Sequence, residues 1–246
     1  FMEPITWFLT GVEKHSDERR EDLLCNPETF EGAMSHHMSR FEYESLYVAM
    51  NELSNHDHSR FLTRTNGQVG RIQNKGTEAA EEGINEAVMR EAVIMQMTWP
   101  GAPTVYYGDE AGVCGWTDPD NRRTYPWGHE DKQMLLFHKE AIRIHRNSTA
   151  LCTGSYKMLY TAWGILAYGR FDEKERYTVI VNNTQDTVNV AIHVRQIGVT
   201  DGSRMEQQLM SSSASFTKVP DIYVVTDGYL MIAMPKTSAV ILKDIG

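Results

Sequence analysis

Apolar residues recur with helical spacing in the first part of the chain. From Ile84 to Met95 they follow one another at intervals of four, four and three, which places them on one face of a helix. Trp99-Pro100-Gly101 interrupts this pattern, because proline and glycine end helices. The spacing therefore predicts an amphipathic helix from about Glu78 to Met97.

Two further helices are predicted in the same part of the chain. Apolar residues between Met134 and Ile144 keep helical spacing, and the basic residues His145 and Arg146 suit the C-terminal end of a helix. Asn26-Pro27 opens another helix, since asparagine caps helices and proline is accepted in the first turn.

Short apolar segments between these helices predict strands. Pro103–Tyr107 is β-branched and aromatic and ends at Gly108, which is typical of a buried strand. Tyr47–Ser54 is compatible with a strand and with a helix. Strands that alternate with helices are typical of βα units around a parallel sheet, so residues 1–148 are predicted to be α/β.

The pattern changes near residue 150. Six short strand-like segments are separated by turn sequences such as Asn182-Asn183 and Asp227-Gly228, which is typical of an antiparallel sandwich. We expect a second, all-β domain over residues 149–246, with the boundary between Asn147 and Gly154. The predicted strands are Gly164–Phe171, Tyr177–Asn182, Val188–Val194, Met205–Met210, Tyr229–Met234 and Ala239–Leu242.

Composition excludes several classes of function. The 246 residues carry 24 Lys and Arg against 33 Asp and Glu, a net charge of −9, which disfavours nucleic acid and anionic membranes as partners. No apolar run is long enough to predict a transmembrane helix. Cys25, Cys114 and Cys152 are far apart and odd in number, so we expect free thiols and, from them, a cytoplasmic protein. A neutral, hydroxyl-rich partner such as a sugar is compatible with this charge.

The polar segment Ser54–Arg60 follows one of the candidate strands. His56 and Asp57 can together donate hydrogen bonds to sugar hydroxyls and accept them, and loops after barrel strands form active sites. The alternative is a capped turn, in which Asp57 or Ser59 binds the N–H groups of a following helix. His56 and His58 are not expected to bind zinc, because no third ligand lies at suitable spacing.

A longer loop after Gly108 combines aromatic, acidic and basic residues. Aromatic faces pack on pyranose rings, and paired Asp and Arg side chains bind hydroxyl groups through charge-assisted hydrogen bonds. Asp109 and Glu110 are expected to be structural, binding backbone groups after the strand. Asp118 and Arg122 are candidate ligand contacts, with an internal salt bridge as the alternative.

Both loops resemble segments of a known family. Leu53-Ser54-Asn55-His56-Asp57 is similar to the fourth signature region of the α-amylase superfamily of glycoside hydrolases, and Gly101–Glu110 is similar to its eighth barrel strand. Asp118–Arg123 resembles a loop of the neopullulanase, cyclomaltodextrinase and maltogenic amylase branch, which often has Cys in place of Asn121. The resemblance implies the last strands and helices of a TIM (β/α)8 barrel, followed by a C-terminal antiparallel β-sandwich.

The resemblance also implies retaining hydrolysis of α-glucosidic bonds by a nucleophile and an acid about 5–5.5 Å apart. It assigns Asp57 to transition-state stabilisation, His56 to a hydrogen bond with the same sugar, and Asn55, Asp118 and Arg122 to substrate binding. The family's G-x-R-x-D nucleophile motif is absent, and no Glu matches the general acid, so neither group is predicted in this chain. No cofactor or metal is predicted here, and calcium stays open for a complete enzyme.

A complete (β/α)8 barrel needs about 250 residues, so residues 1–148 are predicted to lack its N-terminal half. The chain is then a C-terminal piece of an α-glucan glycosidase, inactive alone. Its expected partners are the missing half of the barrel and an α-glucan or maltooligosaccharide substrate. The alternatives are a non-catalytic carbohydrate-binding or interaction protein derived from the same fold, and a second chain that supplies the missing strands.

Overall fold

A computed structural model describes all residues from Phe1 to Gly246. The helices precede Gly154 and nearly all strands follow it. The helices are α1 (Met2–Thr10), α2 (Pro27–Met38), α3 (Tyr43–Tyr47), α4 (Phe61–Arg64), α5 (Ile72–Lys75), α6 (Glu86–Thr98), α7 (Lys132–Arg146) and α8 (Thr149–Thr153). None of them combines the length and the apolar character that crossing a lipid bilayer requires.

Two short strands form a parallel pair in the first part of the chain. They are β1 (Met50–Glu52) and β2 (Ala102–Thr104), and each pairs only with the other. Gln96 of α6 donates hydrogen bonds from Nε2 to the backbone oxygens of Asn51 and Thr104, at 3.0 and 2.9 Å, and so ties the helix to both strands. Because the strands are parallel, the loops that follow them leave the same edge of the sheet.

The strand predictions for this region were correct in position and wrong in extent. Tyr47 ends the short helix α3, and only Met50–Glu52 of the Tyr47–Ser54 segment is a strand. β2 is half-buried and ends at Thr104, so the expected buried strand over Pro103–Tyr107 is shorter and less covered than predicted. With β1 on one edge and no strand on the other, nothing holds residues 105–107 extended.

The helix predictions were confirmed except at one start. Asn26 caps α2, accepting hydrogen bonds from the N–H groups of Glu28 and Thr29, and α7 spans the predicted apolar positions. The helix expected from Glu78 begins instead at Glu86, because Asn85 accepts from the N–H groups of the first turn. Residues 78–80 form a separate 3-10 turn.

The second part of the chain forms two antiparallel sheets. Seven strands run in the order β3-β4-β5-β11-β7-β8 with β9 beside β7, and β6 pairs with β10. All six predicted strands are present, whereas β3, β8 and β9 were not predicted. The strands are β3 (Ser155–Ala162), β4 (Ile165–Phe171), β5 (Arg176–Asn182), β6 (Val188–His193), β7 (Arg204–Ser211), β8 (Phe216–Thr217), β9 (Ile222–Val224), β10 (Tyr229–Met234) and β11 (Ser238–Asp244).

Both faces of the large sheet are buried, which explains the apolar runs of its central strands. Leu166 and Tyr168 of β4 pack in the core that contains α6 and α7, while Ile165 and Ala167 pack in the core that contains β6 and β10. The first of these cores extends across residue 148, so the helical part and the large sheet share one apolar interior. The proposed division into residues 1–148 and 149–246 stays a prediction.

Candidate functional site

Two loops define the candidate site. The β1 loop (residues 53–60) follows β1 and carries Asn55, His56 and Asp57. The β2 loop (residues 105–131) follows β2 and carries Asp118 and Arg122. Both leave the carboxyl edge of the parallel pair, which brings residues far apart in sequence into contact.

Arg60 joins the two loops from within the protein. Its fully buried guanidinium donates hydrogen bonds to the backbone oxygens of Tyr107 at 2.6 Å and Asn121 at 2.9 Å. It also pairs with the buried carboxylate of Asp109 at 3.0 Å and lies 4.0 Å from the ring centre of Tyr106. Burial raises the pKa of Asp109, and the charge of Arg60 opposes that shift. Asp109 is therefore structural, as expected, but its carboxylate binds Arg60 and not the backbone groups that were predicted.

Asn121 provides a second connection between the loops. Its buried Nδ2 group donates to the backbone oxygens of Asn55 at 3.1 Å and His58 at 2.7 Å. These bonds lie on either side of His56 and Asp57. The β2 loop thereby fixes the backbone of the β1 loop at the residues that flank the candidate catalytic pair.

Asn55 shapes the turn that presents His56 and Asp57. Its Oδ1 accepts hydrogen bonds from the N–H groups of Asp57 at 2.9 Å and His58 at 3.1 Å, while its Nδ2 donates to Glu52 Oε1 at 2.7 Å. The side chains of His56 and Asp57 are 60% and 66% exposed, with 3.5 Å between His56 Nε2 and Asp57 Oδ1. The Asp57 carboxylate is thus available to a ligand.

The capped-turn alternative for this loop is wrong. The following helix, α4, receives no hydrogen bond from the side chain at its cap position. Its first N–H group, that of Phe61, donates instead to Ser54 Oγ at 2.9 Å. Ser59 donates to the backbone oxygen of Lys14. Neither Asp57 nor Ser59 therefore caps the start of α4.

Asp118 and Arg122 form an exposed ion pair, which is the alternative that the sequence left open. The pKa of Arg122 is raised, first by the hydrogen bond with Asp118 and in smaller part by the charge of Asp57. Glu110 accepts a hydrogen bond from the N–H group of Gly108 at 2.9 Å, in agreement with its expected structural role.

His58 is the less exposed of the two histidines in the β1 loop. Burial lowers its pKa to about 4, with the positive charges of Arg64 and His15 acting in the same direction. Its Nδ1 atom is buried without a hydrogen-bond partner, and its ring meets that of His15 edge to face at 4.8 Å between centres. His58 is therefore a neutral packing residue at neutral pH.

The residues that come closest to a metal site lie outside both loops. Ligand atoms of Glu13, His15 and Asp17 lie within 4.8 Å of one another. They already have partners in the chain, since His15 Nδ1 lies 2.8 Å from Glu13 Oε1 and Asp17 is paired with Arg71. The chain itself thus supplies hydrogen-bond partners to all three side chains.

The sequence did not reveal the residues that hold the site together. Arg60 and Asn121 were seen as parts of polar segments, without their partners across the two loops. The one available signal was the position of Arg60 at the end of a polar segment and directly before the buried residues Phe61 and Leu62. An arginine at the edge of a core needs acceptors, and backbone oxygens supply them.

Comparison with known proteins identifies the family. Residues 7–231 match the family described as "Alpha amylase, catalytic domain". The chain belongs to the α-amylase family of glycoside hydrolases. The predicted membership of the α-amylase superfamily is thereby confirmed.

Several relatives carry the names expected from the β2 loop. Neopullulanase 2 of Thermoactinomyces vulgaris is 30% identical over 70% of this chain and 27% of its own length, and a cyclomaltodextrinase of Thermoanaerobacter pseudethanolicus is 34% identical over 56% and 21%. The amylopullulanase of Thermoanaerobacter thermohydrosulfuricus is 31% identical over 84% of this chain and 14% of its own length. The matched region is thus about a seventh to a quarter of these proteins.

Solved structures share the fold. The Anoxybacillus α-amylase superimposes with a TM-score of 0.75 at 20% identity, covering 99% of this chain and 45% of that one. A cyclomaltodextrinase superimposes with a TM-score of 0.72 at 21% identity, covering 98% of this chain and 36% of that one. The fold of the α-amylase family therefore extends over nearly the whole chain.

Proposed function

We propose that this chain forms part of the active site of a retaining α-glucan glycosidase. In this proposal β1 and β2 are the seventh and eighth strands of its catalytic barrel, and residues 149–246 are its C-terminal sandwich. The observation that carries the proposal is the exposed Asp57 carboxylate at the carboxyl end of β1. Hydrogen bonds from the Asn121 amide and from the buried Arg60 guanidinium join its loop to the β2 loop. Active sites of barrel enzymes lie at that end of the strands.

Asp57 stabilises the transition state in this account. Glycoside hydrolysis passes through an oxocarbenium-like species, whose positive charge a nearby carboxylate favours. His56 and Asn55 lie beside it, so the three side chains offer donors and acceptors to the hydroxyls of one sugar ring. The hydrogen bonds of Asn55 to the N–H groups of the turn hold Asp57 before substrate arrives.

Asp118 and Arg122 bind a sugar unit of the substrate that lies further from the bond that is cut. Their ion pair is exposed, so a hydroxyl group can accept from Arg122 and donate to Asp118 without separating the charges.

The nucleophile and the general acid come from outside the described residues in this proposal. The free edge of β1 supports it, because Val48 and Met50 are exposed there beside an apolar groove of about 370 Å³ lined by Phe1, Met38 and Phe41. A preceding barrel strand would pair with this edge and cover the groove. The missing part of the barrel is thus the partner that completes the site.

The substrate class follows from the relatives and from charge. Relatives are named as amylopullulanases, cyclomaltodextrinases and a maltogenic α-amylase. A chain with a net charge of −9 does not repel neutral maltooligosaccharides. α-Glucans are therefore the proposed substrates.

The test is hydrolysis of maltoheptaose by the full-length protein, followed by proton NMR of the first products. The account predicts turnover with the α-anomer formed first, since two displacements retain configuration. The 246-residue chain alone is predicted to show no turnover. Release of the β-anomer, or turnover by the chain alone, would contradict the proposal.

A further inference from the structure

Glu52 is the last residue of β1 and lies directly below the turn that carries Asp57. The residue before it, Asn51, faces the C-terminal end of α6, because its Nδ2 donates to the backbone oxygens of Trp99 and Pro100 at 3.2 Å each. Successive side chains of a strand point to opposite faces, so Glu52 lies on the face turned away from α6. Barrel helices lie outside the strands, so this face belongs to the interior of the proposed barrel.

The carboxylate of Glu52 binds the side chain of Asn55. Asn55 Nδ2 donates to Glu52 Oε1 at 2.7 Å, which is the only hydrogen bond of the Glu52 side chain within the chain. The Glu52 side chain is half-buried, and it forms no ion pair with any residue of the chain. The one group that Glu52 holds is therefore a residue of the candidate site.

Glu52 determines which end of the Asn55 amide faces the turn. A carboxylate only accepts hydrogen bonds, so it binds the Nδ2 group. Oδ1 then faces the other way, where it accepts from the N–H groups of Asp57 at 2.9 Å and His58 at 3.1 Å. A reversed amide would set an acceptor against the carboxylate and donors against donors in the turn. Three hydrogen bonds thus depend on one orientation.

The charge of Glu52 also acts on cationic groups of the chain. Burial lowers the pKa of the Arg64 guanidinium to about 10, and the charge of Glu52 is among those that oppose this shift. Burial likewise lowers the pKa of the Phe1 amino group, and Glu52 is among the charges that oppose it. A test of Glu52 should therefore keep one carboxylate in the Glu52–Asn55 pair.

We propose that Glu52 is a positioning residue of the active site, which holds the Asp57 carboxylate in place through the side chain of Asn55. The inference rests on the proposed function and extends it to the residue that orients the turn. Glu52 acts through Asn55 and needs no contact with the sugar. A carboxylate that is held before substrate binds favours the transition state without a cost of reorganisation.

The test exchanges donor and acceptor in the full-length protein and measures kcat and KM for maltoheptaose. Asn55→Asp sets two carboxylates against each other. At about pH 7.5 it should lower kcat about ten-fold or more and change KM less than about three-fold, because a displaced Asp57 weakens transition-state binding. Adding Glu52→Gln to this variant supplies an amide that donates to the new carboxylate. The double variant should recover kcat to within about three-fold of the natural value.

The pH dependence distinguishes positioning from general damage to the fold. Two carboxylates at hydrogen-bond distance share a proton, because the like charge raises the pKa of one of them. That proton restores a hydrogen bond between them. The kcat of Asn55→Asp, relative to the natural protein, should therefore rise as pH falls from about 8 to about 5. In the double variant the ratio should stay constant over this range.

A second measurement does not depend on hydrolysis. Glu52→Leu removes the acceptor and should speed amide hydrogen exchange of Asp57 and His58 about ten-fold, equivalent to about 1.4 kcal/mol. Glu52→Gln keeps an acceptor oxygen and should change this exchange little. The matched control is Glu173→Gln, which removes an exposed carboxylate between β4 and β5 and should alter neither exchange nor kcat.

Full activity of Asn55→Asp, or no recovery when Glu52→Gln is added, would overturn the inference. The inference and the proposed function fail separately. Amide exchange that depends on Glu52, in a full-length protein without hydrolytic activity, would uphold the positioning of the turn and refute the glycosidase. Hydrolysis that depends on Asp57 but not on the exchange of donor and acceptor would do the reverse.

Discussion

Asn121 donates a hydrogen bond from its buried side-chain amide to the backbone oxygen of His58 at 2.7 Å. A second bond, to the backbone oxygen of Asn55, lies on the other side of His56 and Asp57. The turn that presents the candidate catalytic carboxylate is thus held by a residue of the neighbouring loop. In the proposed active site, Asn121 thus positions Asp57 through the backbone of the β1 loop.

We predict that Asn121→Ala in the full-length protein lowers kcat/KM for maltooligosaccharides about ten-fold or more, because two hydrogen bonds that fix the β1 loop are lost. Unfolding should require about 1–2 kcal/mol less, on the scale of about 1 kcal/mol for each bond. Kinetic assays and urea unfolding measure the two effects. Asn189→Ala, an exposed change on β6, is the control and should alter neither. Full activity of Asn121→Ala would show that the bonds are unimportant for positioning.

A second prediction concerns the buried ion pair of Arg60 and Asp109. Asp109→Ala leaves the fully buried guanidinium without its carboxylate, and removing one partner of such a pair costs about 3–5 kcal/mol. Urea unfolding of the variant measures this loss.

A double-mutant cycle distinguishes the ion pair from simple loss of packing. Arg60→Met combined with Asp109→Leu should cost clearly less than the sum of the two single changes, because neither residue then leaves a partner charged and buried. Additive costs would mean that the two side chains contribute independently.

For Glu91 on α6 we predict that stability depends on pH in an unusual way. Its carboxyl group is fully buried, and neither oxygen has a hydrogen-bond partner. Burial raises its pKa well above the usual 4.5, so the folded protein keeps this proton while the unfolded chain releases it. The free energy of unfolding should therefore fall as pH rises from about 4.5 towards the folded-state pKa.

Glu91→Met tests this expectation with a side chain of similar size and no polar atom. At pH 7 the variant should be more stable than the natural protein by about 1 kcal/mol or more, since an unsatisfied buried polar group is removed. The difference should shrink as the pH falls below about 4.5, where the folded and the unfolded natural chain both come to hold the proton. Urea unfolding at several pH values measures it, and Glu91→Gln, which cannot ionise, is the matched control. A variant less stable at every pH would contradict the burial account.

For His58 we predict the opposite dependence of stability on pH. Because its pKa is lowered to about 4 in the folded protein, the imidazole should stay neutral from pH 8 down to pH 5. The stability that this neutral form contributes is complete above the unfolded value of about 6.5 and is lost as pH falls towards 4. NMR of the histidine ring signals, with His58→Gln for assignment, measures the titration. A midpoint near 6.5 would show that the ring is hydrated.

Sequence patterns predicted the fold where one face of an element meets water. The apolar stripe of α7 is such a case, and its apolar positions and C-terminal end were predicted. α6 is buried from Ala87 to Thr98, so an apolar pattern cannot locate its start, and the Asn85 side chain decides it. The edge strand β3 was missed because its residues are partly exposed on both faces, which blurs the alternation.

The site was predictable only as separate segments. Asn55, His56 and Asp57 stood out because they are polar and contiguous after a strand. The Arg60–Asp109 and Asn121–His58 contacts join residues 49 and 63 positions apart, and no local pattern encodes such pairs.

The central claim is that Asp57 acts on the transition state. The most direct test compares Asp57→Asn with the natural full-length protein in hydrolysis of maltoheptaose, with circular dichroism and thermal melting to confirm folding. Asp186→Asn, an exposed change in the second part of the chain, serves as the control for loss of one acidic group. The account predicts a fall in kcat of about 10²–10³-fold or more for Asp57→Asn, with Tm unchanged, since removing one electrostatic group of an active site has this effect. A folded Asp57→Asn protein with the turnover of the natural enzyme would contradict the account.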